Sequence, residues 1–223
     1  MVAALAILVA IIATLQVLTI FFFSGASEPL TGHFTGSNAH GTVSFNFIIS
    51  TLFCQVPLTR GWSLISLCAD VLNRNITTLL AGIDYRYVMR WNQTGQQFDI
   101  YSPRAVDNPF TTMEYNTSYF INLNVPSADM NVSGLPAVDL DISMVSGWNG
   151  PGYPYIFNTS IMKYFNSTKY RYMMKWNTSA QDYMLYSPRA VDNPFTDIKM
   201  GEGQLLNSYA DGVLAYRKTL LQS

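Results

Sequence analysis

Apolar side chains fill the first 23 positions without a break, MVAALAILVAIIATLQVLTIFFF, with Thr14, Gln16 and Thr19 as the only polar residues and no charge. Apolar residues at every angular position predict a helix with no polar face, which must be surrounded by lipid or by other apolar helices. No Pro or Gly interrupts the run before Ser24-Gly25. At about 1.5 Å per residue its length matches a hydrocarbon core of about 30 Å. Residues 24–40, SGASEPLTGHFTGSNAH, are rich in Gly, Ser and Thr and predict a linker.

Beyond residue 40 the period changes from helical to two. Val43, Phe45 and Phe47 alternate with Thr42, Ser44 and Asn46, the pattern of a half-buried strand. Residues 62–68, WSLISLC, alternate again. With Pro57 and Gly61 between two strand-like pieces, residues 54–68 predict a hairpin or a pair of adjacent strands. Cys54 and Cys68 are the only cysteines. An even number in an exported chain favours a disulfide, and antiparallel pairing about a turn near Gly61 sets the two opposite each other. Two buried thiols are the alternative. A bridge here closes a loop of roughly 15 residues and stabilises by about 3 kcal/mol.

The pattern then repeats. YRYVMRWN at 85–92 returns as YRYMMKWN at 170–177, and YSPRAVDNPFT at 101–111 returns unchanged at 186–196, both 85 residues later. Self-similarity of this kind means a duplicated structural unit. Tyr85, Tyr87, Met89 and Trp91 share one strand face, with Arg86, Val88 and Arg90 on the other. Tyr170, Tyr172, Met174 and Trp176 repeat the arrangement. Turns follow at 92–95 and 177–180, and Phe98, Ile100, Tyr183 and Leu185 supply the returning strands, so each copy predicts a hairpin with an aromatic face. In the identical loops, Asp107 is placed to form an Asx-turn, and Arg104 is near enough to Asp107, as Arg189 is to Asp192, to pair. A ligand site used twice and a structural corner are the two readings of these loops, and the corner needs fewer assumptions. Short helices are expected at 75–82 and 159–165, and Gly61-Trp62 and Gly147-Trp148 stand at similar distances upstream.

The expected class is therefore α+β: a long hydrophobic N-terminal α-helix followed by a β-rich, sandwich-like head with an internal duplication. The expected organisation is a helix at 1–24, a linker at 25–40, a first repeat at 41–126 and a second at 127–223, the two packed as one head.

Composition sharpens this picture. Charged residues are only 12% of the 223, aromatics 14%, and the formal net charge is -1. Such a chain is neither a disordered tail nor a basic nucleic-acid binder. Seven N-x-[ST] sequons stand at Asn75, Asn92, Asn116, Asn131, Asn158, Asn166 and Asn177, about twice the number chance gives. Asn92 and Asn177 occupy the same turn of the two repeats, and turn-like placement suits a surface N-glycan. N-linked glycans are thus expected, and no other cofactor is. Gly-rich phosphate loops and Cys/His clusters with metal spacing are absent from the sequence, and its only histidines, His33 and His40, lie in the linker. No catalytic or metal residue is assigned, and an enzyme is not expected.

The uncharged apolar run at the start of the chain resembles that of archaeal type IV pilins and archaellins. In that family a basic leader is removed ahead of the hydrophobic stretch, and the freed helices bundle into a filament core. Bacterial members carry a Glu near the start of the helix; here Leu5 stands there and no acid precedes Glu28, which fits the archaeal form. The resemblance implies that Leu5, Leu8, Ile12, Leu15, Leu18 and Phe22 pack in the filament core. It implies a homopolymer at the cell surface, reached by way of the cytoplasmic membrane and serving adhesion or motility, with other surfaces or cells as further partners. GWSLISL with a later YRYVMRWN hairpin resembles structural modules of archaeal cell-surface proteins. Two alternatives stand beside the filament. One is a surface protein anchored in the membrane, S-layer-associated or carbohydrate-binding. The other is a donor-strand subunit after signal cleavage near Ser27, although the run exceeds a usual signal core of about 7–15 residues and the first Lys or Arg is Arg60.

Overall fold

The period-two pattern governs what the computed structural model shows of the chain. It describes residues 30–38, 41–49, 51–165 and 169–222, the first two segments by their backbone alone. β1 (Leu30–Asn38) and β2 (Gly41–Ile49) pair antiparallel from Leu30↔Ile49 to Asn38↔Gly41. β3 (Leu52–Ser66) begins with Cys54, Val56 and Leu58 buried and Phe53, Gln55 and Pro57 exposed. It lies at the edge of its sheet, where Pro57 removes no ladder bond that the sheet needs. After Thr59 the register slips at a bulge, and Gly61 supplies the required φ of 81°. Ser63 to Ser66 are then buried on both faces, because this half of the strand has a core on one side and the second repeat on the other.

The rest of the first repeat is a four-residue helix (Ile76–Leu79), a hairpin of β4 (Tyr85–Asn92) and β5 (Gln97–Tyr101), and the long β6 (Ser118–Gly134). The helix starts at Asn75, whose Oδ1 accepts the Thr77 N–H at 2.9 Å. The sheet order is β3-β6-β4-β5, all antiparallel.

The second repeat contains β7 (Leu140–Met144), β8 (Gly147–Asn149), β9 (Thr159–Ser160), β10 (Tyr170–Asn177), β11 (Asp182–Tyr186), β12 (Asp197–Ile198), β13 (Leu205–Ser208) and β14 (Gly212–Tyr216). Its sheet order, β8-β13-β10-β11, matches the first strand for strand. The pair β7–β14 stands where the outer halves of β3 and β6 pair. Here those halves are separate strands. Ser146 donates through its N–H to Asp211 Oδ1 (2.8 Å) and through Oγ to the Tyr209 carbonyl (3.2 Å), which ties off the break.

Each repeat has its own core. The first centres on Val56, Leu58, Ile65, Val88, Tyr119, Ile121 and Met130. The second is richer in aromatics, with Tyr153, Tyr155, Tyr164 and Tyr216 packed edge to face or stacked. Gln204, fully buried, accepts from the Tyr164 hydroxyl (2.8 Å) and donates to the Tyr216 hydroxyl (2.5 Å). A third cluster, Leu64, Phe120 and Leu205 with four tryptophans around them, lies between the repeats.

The two sheets are joined by backbone. Gly203 N–H donates to the Leu64 carbonyl (3.0 Å) and Ser66 N–H to that of Gly201 (2.9 Å). In the opposite pairing, Ser118 N–H donates to the Gly150 carbonyl (2.8 Å) and Gly152 N–H to that of Asn116 (2.8 Å). With the β3–β6 and β8–β13 ladders, these bonds close four strands into a ring. What repeat one does to repeat two is done back at the equivalent positions, the signature of an isologous, twofold-like contact.

Several expectations are corrected. The α+β class gives way to a mostly β one. Strands dominate the described residues, and the two α-helices there, Ile76–Leu79 and Lys218–Gln222, are four and five residues long. The physical reason is that helical periodicity is confined to residues 1–23, whereas the described chain alternates with period two. No helix among the described residues is long and apolar enough to cross a membrane. The helix expected over 1–24, with Leu5, Leu8, Ile12, Leu15, Leu18 and Phe22, lies outside the described residues. Within the expected linker 25–40, Leu30–Asn38 is a strand. The hairpin or pair of adjacent strands expected about Gly61 is instead one strand, which bends at a bulge beside the glycine and pairs with β6 rather than with itself. The 126/127 boundary falls inside β6, whose Met130 and Val132 complete the first core. Of the short helix expected at 159–165, only Ile161–Lys163 are helical, as a 3-10 turn, and Thr159–Ser160 form a two-residue strand.

Cys54 and Cys68 are joined in a disulfide, with Cα atoms 6.7 Å apart. Fourteen extended residues would separate them by roughly 46 Å, so the bend of β3 is what brings them together. Replacing both by Ser is expected to lower stability by about 3 kcal/mol and the melting temperature by about 6–12 °C in scanning calorimetry, with the fold kept.

Burial pushes the phenols of Tyr164 and Tyr216 well above their usual range and that of Tyr155 to about 12. Their folded values exceed the unfolded one of about 10, so below pH 10 both states are protonated and no stability is lost. Above it the unfolded chain ionises first, and stability falls by up to about 1.4 kcal/mol per pH unit for each fully buried phenol. Melting temperature is expected to stay flat from pH 7 to 9 and to drop steeply above 10, with the phenolate absorbance of these buried tyrosines appearing only on unfolding.

Candidate functional site

The most organised polar constellation lies at the junction of the repeats. At its centre are two edge-strand segments, Gly61-Trp62 and Gly147-Trp148, which pair with β6 and β13 on one side and have no strand of their own sheet on the other. Gln181 reaches across from the turn after β10: its Oε1 accepts the Trp62 N–H (2.7 Å) and its Nε2 donates to the Trp62 carbonyl (3.0 Å). Gln96, from the turn after β4, does the same for Trp148 (2.9 and 2.9 Å). A side-chain amide thus replaces a neighbouring strand, donor for acceptor and acceptor for donor. The indoles add a second donor to each carbonyl, Trp176 Nε1 to Trp62 (2.8 Å) and Trp91 Nε1 to Trp148 (2.7 Å).

Local geometry explains how the glutamines are aimed. Gln96 and Gln181 adopt φ of 50° and 54°. Their Nε2 atoms also donate to the carbonyls of Gln93 (2.6 Å) and Thr178 (2.7 Å), which holds each side chain against its own turn. Asn92 and Asn177 fix the turns from the other end. Asn92 Oδ1 accepts from the N–H groups of Thr94 and Gly95 (3.1 and 2.9 Å), and Asn177 Oδ1 from those of Ser179 and Ala180 (3.0 and 3.1 Å). Gly61 and Gly147 have φ of 81° and 100°, and a Cβ there would lie 2.4 or 2.5 Å from the clamping amide oxygen. Only glycine meets both demands.

The apolar part of the junction obeys the same symmetry. Trp91 sits edge to face on Phe98 and Trp176 on Tyr183, both at 4.8 Å. Phe120 lies close to Trp62, Phe98, Trp176 and Tyr183. The innermost positions break the symmetry: Leu64 and Phe120 of the first repeat face Gly150 and Leu205 of the second. A Cβ on Gly150 would meet the Trp91 Cβ at 3.1 Å and Leu205 Cδ2 at 3.5 Å. Gly150 thus leaves room for Trp91 of the other repeat and for Leu205 of its own.

Gly150 and Pro151 also open a polar cleft of about 420 Å³ on one side of the junction, lined by Arg90, Asn92, Asp99, Asn116 and Asp141 among others. Asp99 in its wall pairs with Arg90 (3.3 Å) and accepts from Asn92 Nδ2 (3.2 Å). The Arg90 guanidinium lies over the Phe110 ring (4.5 Å), as the Lys175 ammonium lies over Phe195 (5.1 Å). Lys175, buried, is held by Glu202 and the Asp197 carbonyl.

The identical loops are closed by Asn108 and Asn193 rather than by the aspartates expected for that role. Asn108 accepts the Ser102 N–H (2.8 Å) and donates to its carbonyl (3.1 Å); Asn193 does so for Ser187 (2.8 and 3.0 Å). The expected pairs Arg104–Asp107 and Arg189–Asp192 do not occur among the ion pairs of the described residues. The expected aromatic face is also interrupted. Bulges between Tyr85 and Tyr87 and between Tyr170 and Tyr172 turn Tyr85 toward the first core and Tyr170 into the second.

The sequons fall into different settings. Asn75, Asn131 and Asn158 are exposed. Asn92 and Asn177 are half-buried in their turns. Asn116 lines the cleft, and its sequon serine, Ser118, is buried, donating to the Pro151 carbonyl (2.7 Å) and accepting from Gln204 N–H (3.0 Å). Asn166 and His40 lie outside the described residues; His33 falls in β1. Among the described residues no group of three or more His, Cys, Asp or Glu is placed to hold a metal ion.

Sequence reasoning passed over Gln96 and Gln181, although they stand 85 residues apart at the end of a turn whose three middle residues differ. Fold and junction define a mostly β, internally duplicated protein with a reciprocal interface. Comparison with family models, with curated proteins and with solved structures gave no match.

Gly61→Ala and Gln181→Ala are each expected to cost about 1–3 kcal/mol in urea unfolding. If the clamp is the reason for the glycine, Gly61→Ala costs distinctly less when Gln181 is already Ala. Additive effects in this double-mutant cycle would count against the clamp.

Proposed function

We propose that this chain is the structural subunit of an extracellular filament, with the apolar run at residues 1–23 bringing copies together and the β heads outside, serving adhesion or motility. The observation that carries this reading is the contrast between the two parts. An uncharged apolar run, with no Lys or Arg before Arg60, precedes a duplicated, disulfide-closed head with only 12% charged residues in the whole chain. The head's most elaborate contacts, the clamps and the strand ring, are spent on joining its own halves, which suits a part that bears load. N-glycans on the exposed Asn75, Asn131 and Asn158 would solubilise a surface poor in charge.

The test is electron microscopy of material sheared from the cell surface, with N-terminal sequencing of the 25-kDa band. Filaments whose subunit begins at the apolar run are expected. A mature chain starting near Ser27 would favour strand donation instead. Protein that stays in the membrane fraction without filaments would favour an anchored surface protein.

A further inference from the structure

The hydrogen-bonded ladder ends at β5 in the first repeat and at β11 in the second, and no strand among the described residues pairs with their outer edges. Free edges are usually guarded by Lys, Pro, a bulge or a covering segment. β5 reads QFDIY and β11 reads DYMLY, with neither Lys nor Pro, and their ladders with β4 and β10 show no register shift. Asp99 in β5 is turned to Arg90, which leaves Asp182 at the start of β11 as the one exposed charge on these two strands. Beside these edges stand Ile100 (50% exposed) and Leu185 (45%), equivalent in the two repeats.

The loops that leave these strands carry a second, independent sign. The repeats agree at seven of 16 positions over 85–100 and at one of 14 over 112–125, yet at all 11 over 101–111. Tyr101, Ser102, Asn108 and Phe110 have packing or loop-closing roles. Arg104, Ala105, Val106 and Asp107 are exposed, and Val106 and Val191 are 98% and 99% exposed at the tips. Folding of the head does not require identity there, whereas contact with the same surface twice does.

We infer that the outer edges of β5 and β11, with the loop tips at Val106 and Val191, are mating surfaces between copies of this chain. An unpaired edge is satisfied by another extended strand. The demand is made twice in nearly the same form, and each copy carries the two edges that answer it. Two such edges per subunit give a valence of two, the minimum for a polymer. The inference rests on the filament reading and says how neighbouring heads meet.

The full-length chain carrying Ile100→Cys with Leu185→Cys tests it, since both native cysteines are already bonded. Exported filaments are treated with a short bismaleimide and run on denaturing gels. A ladder extending beyond dimer is expected. Visible filaments that yield only monomer overturn the mating edges and leave the filament reading intact. Cross-linked multimers without filaments keep the edge contact and overturn the filament reading; neither multimers nor filaments overturns both. A companion variant, Ile100→Lys with Leu185→Lys, is expected to keep the wild-type circular dichroism and to abolish lateral association of the heads. Unchanged association would overturn the inference.

Discussion

A backbone carbonyl and N–H that point outward from an edge strand must find partners beyond their own sheet, and in this protein that demand organises the whole head. At Trp62 and Trp148 the strand has just passed a left-handed glycine. The groups exposed there are satisfied only from the other repeat, by a glutamine amide and an indole N–H. The turns after β4 and β10, the glycines at 61 and 147, and the placement of four tryptophans all follow from meeting this need from both sides at once. Each such bond contributes only about 1 kcal/mol net.

The ring of four strands extends the same logic to the backbone. Because each half lends a strand edge to the other, the boundary between repeats is crossed by main-chain bonds as well as side chains. This is why Ser63–Ser66 and Leu205–Ser208 are buried on both faces and lose the alternation of their neighbours. The two outer cores are then free to diverge. One is stapled by Cys54–Cys68; the other is filled by tyrosines gathered around Gln204.

Much of this was legible in the residues. Alternation located β2, β4 and β5, and the repeated YRYxMxWN and YSPRAVDNPFT segments announced two equivalent hairpins. Three things were not legible. A bulge and a turn both use glycine, so Gly61 read as a reversal when it marks a bend. Alternation vanishes where both faces are buried, so no such pattern marks β13. The partner of Trp62 lies 119 residues away, a distance no local pattern spans, and only the shared offset of Gln96 and Gln181 hinted at it. Asn108, not Asp107, closes the loop because the amide can donate and accept at once, which a carboxylate cannot.

The mismatch at the centre of the junction has a historical side. Two identical ancestral halves would have met across a true twofold, with the same residue at each inner position. Today the inner positions hold Leu64 and Phe120 in one half and Gly150 and Leu205 in the other, so a pair built from two first halves would be overfilled there and a pair from two second halves hollow. Each half has become the mould for the other. Once such complementary drift has occurred, fission into interchangeable subunits is closed as an evolutionary route, and the covalent link between the repeats is kept because the halves no longer fit their own kind.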